Sequence, residues 1–184
     1  MNALPPRPMI VLHTPRLSLR HLEPADLDDL CRLYSDPEVR RYIPEGVLTR
    51  DQTRAELDWH LHGHPDTPEL GLWATTLRSD GAFIGRCGLL RWTLEGRDET
   101  EVAYMISRSH WGRGLATEAA AAIADHAFTT LRLARVTSRV TPGNTASERV
   151  ATKIGMSLER EFVDEFGAAW LYAMSAPVTV TRAR

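Results

Sequence analysis

Trp111-Gly112-Arg113-Gly114-Leu115-Ala116-Thr117 lies just ahead of an alanine-rich run, and its residue types suggest phosphate chemistry. Glycines let the backbone turn tightly and bring successive N–H groups to face one point. A helix start adds unpaired N–H groups and a partial positive charge, so the pair forms a nest for a phosphate or diphosphate. Arg113 adds a full charge beside it. Two other phosphate motifs fail. The nucleotide-triphosphate loop needs GxxxxGK[ST], and no such string occurs. The dinucleotide fingerprint needs a small residue where Thr117 stands and a carboxylate after the next strand, where the chain reads Arg139-Val140-Thr141. On spacing alone, a Gly-x-Gly pair also fits a plain structural turn.

Other reactive residue types point elsewhere. His60, His62 and His64 alternate, but residues two apart on a helix face different ways. They read as a solvated helix end, and no metal is expected. Cys31 and Cys87 are far apart with no CxxC, which gives neither a disulfide framework nor a zinc signature. The chain has 184 residues and a formal net charge of −2, whereas a dedicated nucleic-acid binder carries a basic surplus. With 43% hydrophobic and 25% charged residues, it reads as one ordinary globular domain. No stretch approaches the ~18 apolar residues of a membrane helix. Met1 to Arg16 is proline-rich without the apolar segment of a signal peptide, so a cytoplasmic location with no membrane partner is expected.

The elements that must position the glycine loop follow from periodicity. Residues 1–15 read as a loose arm, and Arg16 to Leu22 alternates as a first strand. Glu23-Pro24-Ala25-Asp26 opens a helix that stops near Asp36-Pro37. Thr49 with Gln52 fits a capping box for a second helix. Leu70 to Leu77 and Ala82 to Trp92 read as a hairpin, with Gly85 and Gly88 marking bends or close backbone approach. Thr100 to Ile106 is a further strand, and Ser107 to Arg113 a loop. A long helix follows from Gly114 to about Leu131, with Ala116, Ala120, Ile123, Ala127 and Leu131 on one stripe. Ala134 to Val140 is a strand, Asn144 caps a short helix from Thr145, and Gly155 ends it. A last hairpin turns at Gly167.

Downstream of the loop come Asn144-x-x-Ser147 and Lys153-Ile154-Gly155-Met156. Together with Thr14-Pro15-Arg16-Leu17-x-Leu19-Arg20, Glu101-Val102-Ala103-Tyr104 and Trp111 to Ala119, they carry a resemblance. The sequence resembles the GNAT superfamily of acetyl-CoA-dependent N-acetyltransferases, and more narrowly its ribosomal-protein alanine acetyltransferase branch. The resemblance implies an α/β (α+β) fold, with a mixed central sheet splayed between two parallel strands and flanked by helices. It covers residues 14–176, leaving 1–13 as an arm and 177–184 as a tail. The family loop reads Gln/Arg-x-x-Gly-x-Gly/Ala. Gly114 and Ala116 match its last two small residues, and Trp111 departs in the first slot as this branch does.

That resemblance implies that the backbone of Gly112, Arg113, Gly114, Leu115, Ala116 and Thr117, with Trp111 beside it, holds the diphosphate of acetyl-CoA. It also implies that the strand through Tyr104, Met105 and Ile106 pairs with the pantetheine arm. Direct transfer to an amine needs a base, a polarised thioester carbonyl and a stabilised thiolate. Glu101 is the first choice of base, the alternative being a strand residue paired with an arginine; Asp98 and Glu99 are its neighbours. The tyrosine that many members place seven residues after the asparagine is absent, because that position is Ala151. Ser147 is the branch's substitute at the sulfur, or an early-helix serine bonded to backbone. Asn144 contacts the pantetheine or an ordered water, caps the helix, or does both. Tyr42 and Trp59 lie in the segment where the family builds its acceptor pocket, Trp59 reading otherwise as core; Glu165 in the last hairpin either attracts the cationic amine or is an exposed loop carboxylate. A protein or peptide N-terminal amine is the leading acceptor, and a small-molecule amine (amino acid, polyamine or antibiotic) its rival. A non-catalytic acyl-CoA sensor is the reading from another class, and a homodimer is common in the family.

Overall fold

The protein is described by a computed structural model over residues 10–62 and 67–177, the side chain of His62 excepted. Among these residues eight strands form one mixed sheet, and four α-helices pack on it. The strands are β1 (Ile10–His13), β2 (Leu17–His21), β3 (Gly71–Leu77), β4 (Phe83–Leu94), β5 (Arg97–Ile106), β6 (Arg135–Val140), β7 (Ser157–Asp164) and β8 (Gly167–Ser175). The helices are α1 (Leu27–Tyr34), α2 (Arg50–His62), α3 (Leu115–Thr129) and α4 (Thr145–Lys153). The spatial order is β1-β2-β3-β4-β5-β6-β8-β7. Every neighbouring pair is antiparallel except β5 and β6.

Alternation along β5 divides the core into two. Val102 and Ile106 face α3 and join Leu115, Ala119, Ala120, Ile123 and Ala127 from that helix. Its small residues let α3 lie close to the sheet, so the fully buried Ile123 fills much of the contact. Truncating such a side chain to alanine costs about 2–5 kcal/mol. Ala103 and Met105 face the other way, against Leu30, Leu33 and Tyr34 of α1 and Leu57 of α2.

The expected caps are present. Thr49 N–H donates to Gln52 Oε1 at 2.8 Å, and Gln52 N–H donates back to Thr49 Oγ1 at 3.3 Å. Gly155 and Met156 close α4 with N–H bonds to the carbonyls of Thr152 and Ala151, the left-handed C-terminal motif that glycine permits. Close approach explains the β4 glycines. A Cβ at Gly88 would lie 2.0 Å from the Gly71 carbonyl oxygen, and one at Gly85 would lie 2.1 Å from that of Met105.

Two expectations need correction. Residues 10–13, read as part of the arm, form β1 and pair with β2 around a turn closed by Thr14 N–H to Leu17 O. The nearby prolines mask that strand, whose pairing supplies the order. The long helix ends at Thr129 rather than near Leu131, because Arg132 takes a left-handed φ of 57° and Leu133 N–H caps back onto Ala127 O.

Candidate active site

The loop between β5 and α3 has the backbone shape of an anion nest. Gly112 and Gly114 have φ of +73° and +74°, a region costly for residues with a Cβ. No side chain satisfies the first N–H groups of α3 from its N-cap, which is Gly114 itself. Trp111, half exposed, turns its indole N–H onto the Ile106 carbonyl at 2.7 Å. The indole therefore ties the loop to the end of β5.

β5 and β6 part company in front of this loop. They share a single register pair, Glu101 with Thr137. Around it, hydroxyls bridge the strands instead of a backbone ladder: Thr137 Oγ1 donates to Thr100 O at 3.3 Å and Ser138 Oγ to Val102 O at 3.5 Å. Past that point the facing backbone of β5, through Tyr104 and Ile106, has no partner strand. Met105 and Ile106 bury their side chains on opposite faces, so only their backbone is offered to the gap.

Glu101 sits at the apex of this wedge. Burial pushes its pKa up to about 7, against the opposing pull of the Arg139 N–H bond and the charges of Arg139 and Arg86. Its carboxylate neighbours are differently placed. Asp98 pairs with Arg91 at 2.6 Å and Glu99 with Arg135 at 3.1 Å. A carboxyl that titrates near neutrality can take a proton from an ammonium.

α4 forms the opposite wall. Asn144 Oδ1 accepts the Ser147 N–H at 3.2 Å, so the cap role is filled. Tyr104 reaches across the gap and donates its hydroxyl to the Ser147 carbonyl at 3.1 Å. Burial raises that phenol to about 12, so it keeps its proton. Ala151 is fully buried in the α3 core.

The three expected acceptor residues divide. Tyr42 donates its hydroxyl to Gly143 O at 2.9 Å, and Thr141 Oγ1 donates to Tyr42 O at 3.1 Å. The α1–α2 connection is thereby stapled to the turn before α4. Trp59 is half exposed on α2, edge-on to His60. Glu165 is exposed in the β7–β8 turn. His60 packs beside Glu56, with its ring neutral at a pKa near 3 because of burial and the Arg86 charge. His64 lies outside the described residues.

Residues 16–157 match the family model described as an acetyltransferase (GNAT) domain. The chain belongs to the GNAT acetyltransferase family.

Among its relatives, the Bacillus subtilis uncharacterized protein YkkB is 36% identical over 146 residues, covering 79% of this chain and 84% of its own. The Bacillus licheniformis uncharacterized N-acetyltransferase p20 is 33% identical, covering 82% and 84%. An Escherichia coli spermidine N(1)-acetyltransferase is 29% identical, covering 82% and 77%. The crystal structure of an acetyltransferase from Agrobacterium tumefaciens superposes with a TM-score of 0.75 at 28% identity, covering 95% of this chain and 98% of that one. A ribosomal-protein-S5-alanine acetyltransferase from Vibrio fischeri shares the fold, with a TM-score of 0.72 at 15% identity and coverage of 91% and 97%.

This GNAT chain is thus an acetyl-CoA-dependent N-acetyltransferase, with acetyl-CoA as its donor. The sheet, the single parallel pair and its splay are those the resemblance implied. Among the described residues no helix is long and apolar enough to cross a membrane. Two features of the site had no assigned role in the sequence. Arg139 supplies the N–H that holds Glu101, and its guanidinium is held by Asp164 at 2.8 Å through two bonds. Behind the α1–α2 face, the buried Arg86 donates Nε–H to Tyr34 Oη at 2.9 Å, and Tyr34 donates to Glu56 at 2.7 Å. No spacing rule links residues this far apart.

Proposed function

We propose that this enzyme acetylates a single primary amine, most readily a protein or peptide N-terminal amine, by direct transfer in a ternary complex. The acceptor reading rests on the resemblance of Trp111 to Ala119 and Asn144 to Met156 to the ribosomal-protein alanine acetyltransferase branch. The two arginines acting on Glu101 do not select the acceptor by charge, since Arg139 is paired with Asp164 at 2.8 Å and Arg86 with Glu56 at 3.8 Å. The spermidine-acetylating relative favours the second reading, a small-molecule amine.

Acetyl-CoA supplies a thioester whose acetyl carbon the amine attacks, forming C–N as C–S breaks. Gly112 to Thr117 receive the diphosphate on backbone N–H groups, a cradle fitted by the positive φ of both glycines and the open space beside Gly112. The open edge of β5 at Tyr104 and Ile106 holds the pantetheine amides, with Ile106 O shared with Trp111. Glu101 takes the ammonium proton, directly or through one water. Ser147 donates a hydrogen bond from the first turn of α4 to the departing sulfur, which leaves as the thiol once it takes the second proton of the attacking nitrogen. Cys87, directly opposite Tyr104 on β4, is buried and raised to about 11, so it offers no thiolate for a covalent route.

A thiol-release assay over N-terminal peptides, amino acids, polyamines and aminoglycosides tests the acceptor. Turnover of peptides with polyamines inert supports the reading, and a polyamine preference overturns it. Sedimentation with and without acetyl-CoA reads whether copies pair into the homodimer implied by the resemblance.

A further inference from the structure

We infer that Arg16, far from the glycine loop in sequence, is a coenzyme-site residue that locks the loop and turns a free edge of its guanidinium toward the bound diphosphate. The inference rests on the loop reading above.

Arg16 follows the β1–β2 turn and crosses to the start of α3. Its Nε–H donates to Glu118 Oε2 at 2.6 Å, and its Nη1 donates to the Arg113 carbonyl at 2.9 Å. Its own backbone N–H donates to Glu118 Oε1 at 2.9 Å, and Thr14 Oγ1 donates to the same oxygen at 2.6 Å. Arg78 closes the arrangement with N–H to Arg16 O and Nη1 to Thr14 O, both at 2.9 Å. One carboxylate in the first turn of α3 is therefore held by three donors from a single strand turn.

The lock acts on the loop through Arg113. A bond to that carbonyl pins the peptide between the two left-handed glycines, whose N–H directions define the nest. The remaining nitrogen, Nη2, makes no hydrogen bond among the described residues. It lies 3.7 Å from where a Cβ on Gly114 would stand, at the lip of the nest. Arg16 is half exposed, so this edge meets solvent. An Nη2 so held can donate to a phosphate oxygen without further ordering. The need is local. Trp111 fills the loop slot that carries Gln or Arg in the general pattern, and its one polar atom is spent on Ile106 O. Arg16 brings a guanidinium to the loop from another strand.

The test compares wild type with Arg16→Met, Arg16→Lys and Glu118→Gln, using two acetyl donors: acetyl-CoA and S-acetylpantetheine, which lacks the diphosphate. Arg16→Met is expected to weaken coenzyme A binding about 10- to 100-fold in calorimetry, the range of one lost charge-assisted contact. It also shrinks the kcat/KM preference for acetyl-CoA over S-acetylpantetheine by a similar factor, with Arg16→Lys intermediate. Glu118→Gln loosens the anchor and shrinks the preference less. A residue that serves only the overall fold lowers kcat/KM for both donors together and leaves their ratio unchanged, which overturns the proposal. An Arg16→Met penalty that vanishes with 3′-dephospho-coenzyme A also overturns it, since the contact then belongs to the 3′-phosphate. Gly114→Glu separates the two readings: loss of coenzyme binding there, with none in Arg16→Met, leaves the loop in place and removes Arg16.

Discussion

The main-chain N–H of Arg139 donates to Glu101 Oε1 at 3.3 Å, just beyond the one rung joining the two parallel strands. The bond fixes the carboxyl at the apex of the wedge while leaving its second oxygen for a proton. Because the donor is backbone, it survives replacement of the Arg139 side chain, whereas the Arg139 charge does not.

Glu101 must be ionised to act as a base, and its pKa is pushed up to about 7. The expected kcat/KM rises with pH through about 7 and then levels until other groups intervene. Glu101→Gln lowers turnover about 100-fold or more, the usual worth of a positioned base, and loses this limb of the profile. A Gln variant with wild-type turnover removes Glu101 from the mechanism.

The same shift has a stability consequence of fixed sign. Below about 4.5 folded and unfolded chains both hold the proton; between about 4.5 and 7 only the unfolded chain releases it. Burial of Glu101 therefore costs stability progressively as pH rises through that window, and the full cost remains above it. Glu101→Gln is expected to raise Tm relative to wild type at about pH 8 and to lose that advantage at about pH 4. Scanning calorimetry at the two values checks this.

Asn144 and Ser147 separate stability from turnover. Asn144→Ala removes the N-cap of α4 and costs about 1 kcal/mol in denaturant unfolding. Ser147→Ala leaves the backbone N–H that Asn144 binds, so stability is retained while turnover falls. Coenzyme affinity lost together with turnover in Ser147→Ala makes the serine a binding residue.

Gly114→Glu puts a side chain and a negative charge on a left-handed residue at the lip of the nest. Saturating acetyl-CoA is expected to stabilise wild type by about 3–4 kcal/mol and this variant not at all, read as a thermal shift. A retained shift refutes the loop as the diphosphate site.

Tyr34 bridges Arg86 and Glu56 beneath the α1–α2 face. Tyr34→Phe leaves Arg86 Nε–H buried without its partner, and is expected to cost about 1–3 kcal/mol in urea unfolding. Rescue by the second change Arg86→Met, which removes the unpartnered Nε–H donor, distinguishes the polar link from packing of the ring.

Much of this molecule was legible in its residues because the determinants are local. The Thr49–Gln52 box, the Asn144 cap, the Gly155 terminus and the loop glycines each act within a few residues, so type and spacing suffice. Tertiary structure decided the rest. Glu101 differs from Glu99 and Asp98 only in its neighbours, because Arg135 and Arg91 fall beside the latter two. β1 became a strand when β2 offered an edge. Trp111 turned its indole N–H onto the end of β5 because a carbonyl lay within reach. Arg16 meets Glu118 across 102 residues. Such contacts exist only once strand order sets which side chains face each other, and a chain read from end to end carries no term for that geometry.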